Sequence, residues 1–291
     1  MSVIFIDSDC ELNYKTAEQV GLTNVILMPY TICNQEIFYD LGKSYNAKEF
    51  FDLVRKGNMP ITSGLNVETY KEYFEPFFKQ GEDILYVSFS SEMSGTFQYH
   101  DIAIKELKEK YPKAKYQRFD TKAISLGAGL PCYYAGLMHQ EGKTNDEIVE
   151  FLKDFINKIN IIVSPNDLNY LKRGGRLSSA KAAIGTFLQV KPIIRLTDEG
   201  KLVNTSKVNG RNKCLSVIAQ DVIDRADFNY PVITLNADCV PDSDKIAEKI
   251  RAAHPEVVIW DYDIGPVIGA HTGPDTVACV YVSKDGCRFV D

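Results

Sequence analysis

Short apolar runs alternate with segments of helical period through the first part of the chain. Val3-Ile4-Phe5-Ile6-Asp7 is a strand pattern closing on an acid, followed by Val25–Pro29, Ile84–Phe89 and Lys115–Asp120. Between these runs, apolar residues recur at three- and four-residue spacing: Phe50, Leu53 and Val54, then Tyr70, Tyr73, Phe74 and Phe77, then Ala103, Ile104, Leu107 and Tyr111. Strands alternating with helices predict a parallel sheet covered on both faces, a Rossmann-like arrangement.

Thr144-Asn145-Asp146-Glu147 has the spacing of a capping box, and Ile148, Phe151, Leu152, Phe155, Ile156 and Ile159 follow on one stripe. That helix leads to Ile161-Ile162-Val163, the expected first strand of a second domain. Later strands are predicted at Lys191–Leu196, Lys201–Val208, Pro231–Asn236, Val257–Tyr262 and Ala278–Ser283. Two helices interleave, one carrying Leu215, Ile218, Ala219 and Val222, the other Ile246, Ala247 and Ile250. Thr197-Asp198-Glu199-Gly200 is a turn between two β-rich runs, so at least one pair is an antiparallel hairpin. The expectation is α/β overall: a Rossmann-like domain over 1–159 and an α+β domain over 160–291 with a mixed or antiparallel six-stranded sheet. No internal repeat or low-complexity stretch interrupts the chain.

The 291 residues exceed what one hydrophobic core usually serves, which agrees with two domains. A formal charge of −6, with no basic cluster longer than Lys172-Arg173, argues against nucleic acid as a partner. The start lacks the basic region of a signal peptide, and no apolar run approaches the roughly 20 residues needed to cross a bilayer, so the expected location is cytoplasmic. Seven scattered cysteines without C-x-x-C spacing read as free thiols. The histidines show no metal-ligand spacing, so no metal site is expected. Nucleotide-binding loops of the G-x-x-x-x-G-K-[ST] and G-x-G-x-x-G types are missing, as is the G-x-S-x-G frame of a hydrolase elbow.

Ser90-Ser91-Glu92-Met93-Ser94-Gly95-Thr96-Phe97 runs from the end of a strand into a helix. The first backbone N–H groups of a helix lack intrahelical partners and carry partial positive charge, so with the Ser94 and Thr96 hydroxyls they suit a carboxylate or phosphate. Open α/β sheets bind ligands at the carboxyl ends of their strands, where this turn is placed. By itself Ser94 reads equally well as a helix cap, and Thr62-Ser63-Gly64 as a turn before a helix starting near Val67. Ile264–Pro274 reads as a Gly/Pro-punctuated loop around His271 and Thr272. Leu168–Ser178 reads as a short helix stopped by glycine and a second one capped by Ser178, with Lys172, Arg173 and Arg176 forming a basic spot on an acidic protein.

Ordered along the chain, these segments resemble the DegV family: Ile-Phe-Ile-Asp-Ser at the start, Ile61-Thr62-Ser63, the Ser90–Gln98 turn, Phe119–Gly129, Leu168–Ser178, Val190–Ile194 and Ile264–Pro274. The family is similar to the acyl-binding subunit of bacterial fatty acid kinase, which presents a bound fatty acid to a separate ATP-binding subunit. The resemblance therefore implies a long-chain fatty acid as ligand, no cofactor, and no catalysis by this chain. It places the acyl tail between the two domains. It assigns the carboxylate to Thr62 and Ser63, to Ser94, Gly95 and Thr96, and to His271 and Thr272. It also implies a kinase-subunit partner docking on Lys172, Arg173, Arg176 and Arg211. Two positions depart from the family pattern: Gly64-Leu65-Asn66 replaces a polar residue followed by proline, and Lys207–Arg211 carries fewer arginines. An acyl-transfer enzyme in which His271 activates Ser94, and a lipid-responsive regulatory sensor, are the alternatives.

Overall fold

The computed structural model describes residues 2–177 and 189–288. The chain divides into two compact units, Met1–Tyr45 with Pro60–Phe155 and Asn46–Met59 with Ile156–Asp291.

In the first unit, the strands are β1 (Ser2–Asp7), β2 (Asn24–Ile26), β3 (Pro29–Ile32), β4 (Gln35–Phe38), β5 (Ile61–Thr62), β6 (Asp83–Ser88) and β7 (Lys115–Asp120). Four of them form a parallel sheet in the order β2-β1-β6-β7, with Phe5 paired to Tyr86 and Val87 to Phe119. The central strands are buried throughout most of their length, which is why they read as continuous apolar runs. The helices run in chain order from α1 (Tyr14–Gln19) and α2 (Ala47–Arg55), the latter in the second unit, through α3 (Val67–Gln80), α4 (Thr96–Lys110) and α5 (Leu126–Gln140) to α6 (Asn145–Phe155). Asn66 caps α3 by accepting from the Thr69 N–H at 2.9 Å, and Gly81 ends it in the left-handed region. The expected capping box opens α6: Thr144 donates its N–H and hydroxyl to Glu147, and the Glu147 N–H donates back to the Thr144 hydroxyl.

Two elements of this unit are absent from the sequence reading. The small sheet β4-β3-β5 is built from short, half-polar strands, and its hairpin turns through Cys33 and Asn34, both at positive φ. Helix α5 contains three glycines and Pro131, a composition that argues against a helix. Its glycines serve close approach instead: a Cβ on Gly129 would stand 2.4 Å from the Cys10 carbonyl oxygen, and one on Gly136 2.6 Å from that of Val20.

In the second unit, β8 (Ile159–Ser164), β9 (Val190–Leu196), β10 (Leu202–Asn209), β11 (Val232–Asn236), β12 (Ile259–Asp263) and β13 (Val277–Val282) form one sheet in the order β10-β9-β8-β13-β11-β12. Among the described strands β11 and β12 alone pair in parallel, so the sheet is mixed, as expected. The hairpin between β9 and β10 closes with the Thr197 N–H donating to the Lys201 carbonyl at 2.8 Å. Helices α7 (Asn169–Gly174), α8 (Arg211–Arg225), α9 (Val240–Ala253) and α10 (Pro266–Thr272) also belong to the unit. Leu215, Ile218, Val222, Ile246 and Ile250 from α8 and α9 meet Ile162, Ile193, Val232 and Tyr281 of the sheet in its core. The segment 46–59 joins this unit through Arg55, whose guanidinium pairs with Asp275 at 2.7 Å and with Asp238.

One local expectation is corrected. Residues 266–272 are a helix rather than a loop. Pro266 stands in the first turn, where its missing N–H leaves nothing unsatisfied. Gly269 is needed for packing, since a Cβ there would stand 2.8 Å from the Phe51 ring, and Gly273 at φ 75° ends the helix. The helix expected to be capped by Ser178 lies outside the described residues.

Candidate functional site

The residues singled out by the sequence fall in both units. In the first unit, β6 ends at Ser88 and the chain makes a 3-10 turn at Ser91–Met93 before entering α4 at Thr96. Ser90 caps this turn by accepting from the Glu92 N–H at 3.3 Å, and the Ser91 hydroxyl donates to Asp120 at 2.5 Å. Gly95 occupies the N-cap of α4, and no side chain caps it there; the half-buried Ser94 hydroxyl accepts from the Thr96 N–H at 3.3 Å. Ser94 thus lies one residue ahead of the cap, oriented toward the amino end of a 15-residue helix.

Thr96 has a different position from the one its hydroxyl suggested. It is 1 % exposed, and its Oγ1 accepts from the Leu65 N–H at 3.0 Å and hydrogen-bonds the Tyr70 hydroxyl at 2.8 Å. These bonds bring the 62–66 loop against the start of α4. Gly64 is where the two segments meet: a Cβ there would lie 3.2 Å from the Thr96 Cβ, tighter than ordinary contact. The glycine that departs from the family pattern therefore has a steric reason in this chain. Thr62 ends β5, paired with Tyr30 of β3, and Ser63 follows it, exposed. The structure thus brings Thr62, Ser63, Ser94, Gly95 and Thr96 to one region of the first unit, at the carboxyl end of β6.

Beneath that region is a residue that sequence reasoning noted only as a strand end. Asp7, fully buried at the carboxyl end of β1, accepts from the Phe89 N–H at 3.0 Å, the Tyr86 hydroxyl at 2.9 Å and the Asp9 N–H at 3.1 Å. Burial outweighs these donors and pushes its carboxyl up to about 7. The bond to Phe89 fixes the residue from which the Ser90–Gly95 turn departs. Its signal in the sequence is position alone, an acid closing the first strand of an open α/β sheet.

In the second unit, His271 lies in the last turn of α10 and is packed on Gly174 of α7; a Cβ at Gly174 would fall 2.1 Å from its Nδ1. Burial, reinforced by the Arg176 charge, pulls His271 down to about 4, so its ring is neutral at pH 7 and offers one N–H. Thr272 is buried and its hydroxyl donates to the Ile268 carbonyl at 3.1 Å, within its own helix. Helix α7 ends as expected, with Gly175 at φ 68° donating to the Lys172 carbonyl. Lys172 and Arg173 are exposed, Arg173 stacking over the Tyr170 ring at 4.8 Å, while Arg176 donates to the Gly174 carbonyl. Arg211, at the first position of α8, is engaged within the unit: its Nε donates to Asp242 at 2.8 Å and its Nη2 to the Asp275 carbonyl at 2.7 Å. Among the described residues, no group of three or more His, Cys, Asp or Glu is arranged to hold a metal ion, and no helix is long and apolar enough to cross a membrane.

Residues 1–284 match the family described as uncharacterised proteins of the DegV family. A DegV domain-containing protein of Clostridium perfringens is 38% identical over 283 residues, covering 96% of this chain and 97% of its own. A Lactococcus lactis relative is 30% identical over 286 residues, covering 97% of each. Among solved structures, a fatty-acid-binding DegV family protein of Streptococcus agalactiae superposes with a TM-score of 0.84 at 25% identity, over 98% of this chain and 99% of that one. A fatty-acid-binding DegV family protein of Thermus thermophilus has the same fold, with a TM-score of 0.84 at 23% identity over 97% and 99% of the two chains. Solved DegV proteins thus include fatty-acid binders, and this chain, matched almost end to end by the family, belongs to the DegV family.

Proposed function

We propose that this protein binds a long-chain fatty acid and presents its carboxylate to a separate ATP-binding kinase subunit, which phosphorylates it to the acyl phosphate; the chain itself carries out no chemistry. The observation that supports this reading is the joining of the 62–66 loop to the start of α4 through Thr96, which gathers Thr62, Ser63, Ser94 and the first amides of a long helix at the end of β6. An ionised carboxylate removed from water unpaired costs several kcal/mol. Hydroxyls and backbone N–H groups at a helix start offset that cost. The acyl chain contributes roughly 0.8 kcal/mol for each methylene buried. Neutral His271 is assigned to the same carboxylate on the family resemblance, as a hydrogen-bond donor rather than a counter-charge. For the kinase subunit, Lys172 and Arg173 are the exposed cations of the docking set, with Arg176 beside them; Arg211 is the weaker member because its guanidinium is held by Asp242.

Titration with palmitic or oleic acid tests the binding. The expected result is saturable binding that weakens about ten-fold in Ser94→Ala, the loss of one charge-assisted hydrogen bond. Refusal of every long-chain acid would contradict the function, and undiminished affinity in Ser94→Ala would contradict the placement of the carboxylate. For the partner role, acyl phosphate should form only when fatty acid, ATP, this protein and the kinase subunit are combined. Lys172→Glu with Arg173→Glu should slow that reaction while leaving fatty-acid affinity unchanged.

A further inference from the structure

The first unit carries a second constellation, on the outer side of α4, that fatty-acid binding does not use. β7 is an edge strand of the parallel sheet, and between it and α4 runs an open cleft of about 530 Å³, a volume typical of small-molecule sites. We propose that this cleft binds a phosphate-bearing ligand through Arg118 of β7 and Lys105 and Lys108 of α4.

Three observations point to an oxyanion. First, Nη1 of Arg118 is buried and has no hydrogen-bond partner among the described residues. Its guanidinium is held in place by stacking over the Phe97 ring, at 4.4 Å from the centroid, rather than by an acid. A buried donor without an acceptor costs free energy that a bound anion would recover. Second, the lysines of this region sort by position. Lys110 pairs with Glu75 at 2.7 Å and Lys71 with Glu106, whereas Lys105 and Lys108, which line the cleft, form no ion pair among the described residues. Lys108 lies over the Tyr116 ring, 5.7 Å from its centroid. Third, the cleft is lined by three cations against two carboxylates, Glu109 and Asp101, the latter accepting from His100 Nδ1–H at 2.8 Å.

His100 forms the floor and contributes no charge. It is buried, burial pulls it down to about 4, and its Nε2 meets the Tyr116 hydroxyl at 2.5 Å. With Asp101 accepting from Nδ1–H, the bare Nε2 accepts from Tyr116. That donor is therefore used up, and Arg118, Lys105 and Lys108 remain for a ligand. A planar fork beside two mobile ammonium groups is the combination that holds phosphate. The shared chemistry, a phosphate group, is offered equally by a soluble phosphate compound and by a phospholipid headgroup.

The test uses the full-length protein, titrated with inorganic pyrophosphate by calorimetry and with vesicles of phosphatidylglycerol or of phosphatidylcholine by sedimentation. Saturable binding of pyrophosphate or of phosphatidylglycerol vesicles is expected, weakened about ten-fold in Arg118→Gln and in Lys108→Gln while oleic acid affinity stays the same. Response to pyrophosphate alone would identify a soluble phosphate, and response to anionic vesicles alone a headgroup. No saturable binding of either, or binding undiminished in the variants, would overturn the proposal. Should Arg118→Gln fail to fold, the exposed pair Lys105→Gln and Lys108→Gln carries the same comparison.

Discussion

Replacing Asp7 by asparagine separates the charge of this buried group from its shape. The carboxyl is raised from its ordinary 3.8 to about 7 by burial, so the folded protein holds its proton more tightly than the unfolded chain does. A raised folded-state value means that the group's stabilisation is full below about pH 4 and is lost as the pH climbs to about 7. At about 1.4 kcal/mol per pH unit, the wild type loses about 3 kcal/mol from this group between pH 5 and pH 8. Asparagine cannot ionise and escapes that loss. Its amide oxygen can still accept from Tyr86 and Phe89, but its NH2 faces the Asp9 N–H, a pH-independent cost of about 1–3 kcal/mol. The variant should therefore be the less stable protein at pH 5, and the gap should close or invert by pH 8. Urea unfolding followed by circular dichroism at several pH values measures this difference. The fluorescence of Trp260, the only tryptophan and a residue of the second unit, serves as internal control. A gap that stays constant from pH 5 to pH 8, or widens, would show that burial does not dominate the hydrogen-bond donors around Asp7.

Thr96→Val keeps the shape of the side chain but strands the Leu65 N–H and the Tyr70 hydroxyl, so it should destabilise the protein by roughly 1–3 kcal/mol for each group, with Thr96→Ser recovering most of the loss in chemical denaturation. The His271 ring should give neutral-imidazole NMR shifts from pH 8 down to about pH 5; its folded value of about 4 lies below the ordinary 6.5, so its contribution to stability is full above pH 6.5 and is lost as the pH falls toward 4. Gly174→Ala should displace that ring, costing about 1–3 kcal/mol by overpacking, and unmoved His271 ring signals in the variant would contradict the observed contact.

Elements with strong periodicity were legible in the sequence because burial imposes it. The strand at Lys115–Asp120 begins and ends where the pattern placed it, and the Thr144–Glu147 spacing forms the box it predicts. The small β4-β3-β5 sheet escaped because its strands are short and half-polar, whereas α5 and α10 share another cause: glycine and proline read as loop signals while packing can use them inside helices. Gly129 and Gly136 let the α5 backbone approach neighbouring carbonyls, and Gly269 makes room for Phe51, so two helices carried the composition of loops. The segment 46–59 belongs to the second unit, where Phe51 packs on Gly269 and Arg55 reaches Asp238 and Asp275, contacts separated by up to 220 positions that no local window contains. In the candidate site, the hydroxyl-rich turns stood out from the sequence by residue type. That Thr96 is a buried joint, and that Asp7 holds the residue from which the turn departs, depended on partners dozens of positions away.

The most direct test is a crystal structure of the protein purified with oleic acid. The account predicts an elongated density feature whose carboxylate lies within hydrogen-bond distance of the Ser94 hydroxyl, at the start of α4. A carboxylate bound away from Ser94, or density that stays free of acyl chain in the presence of excess oleic acid, would contradict it.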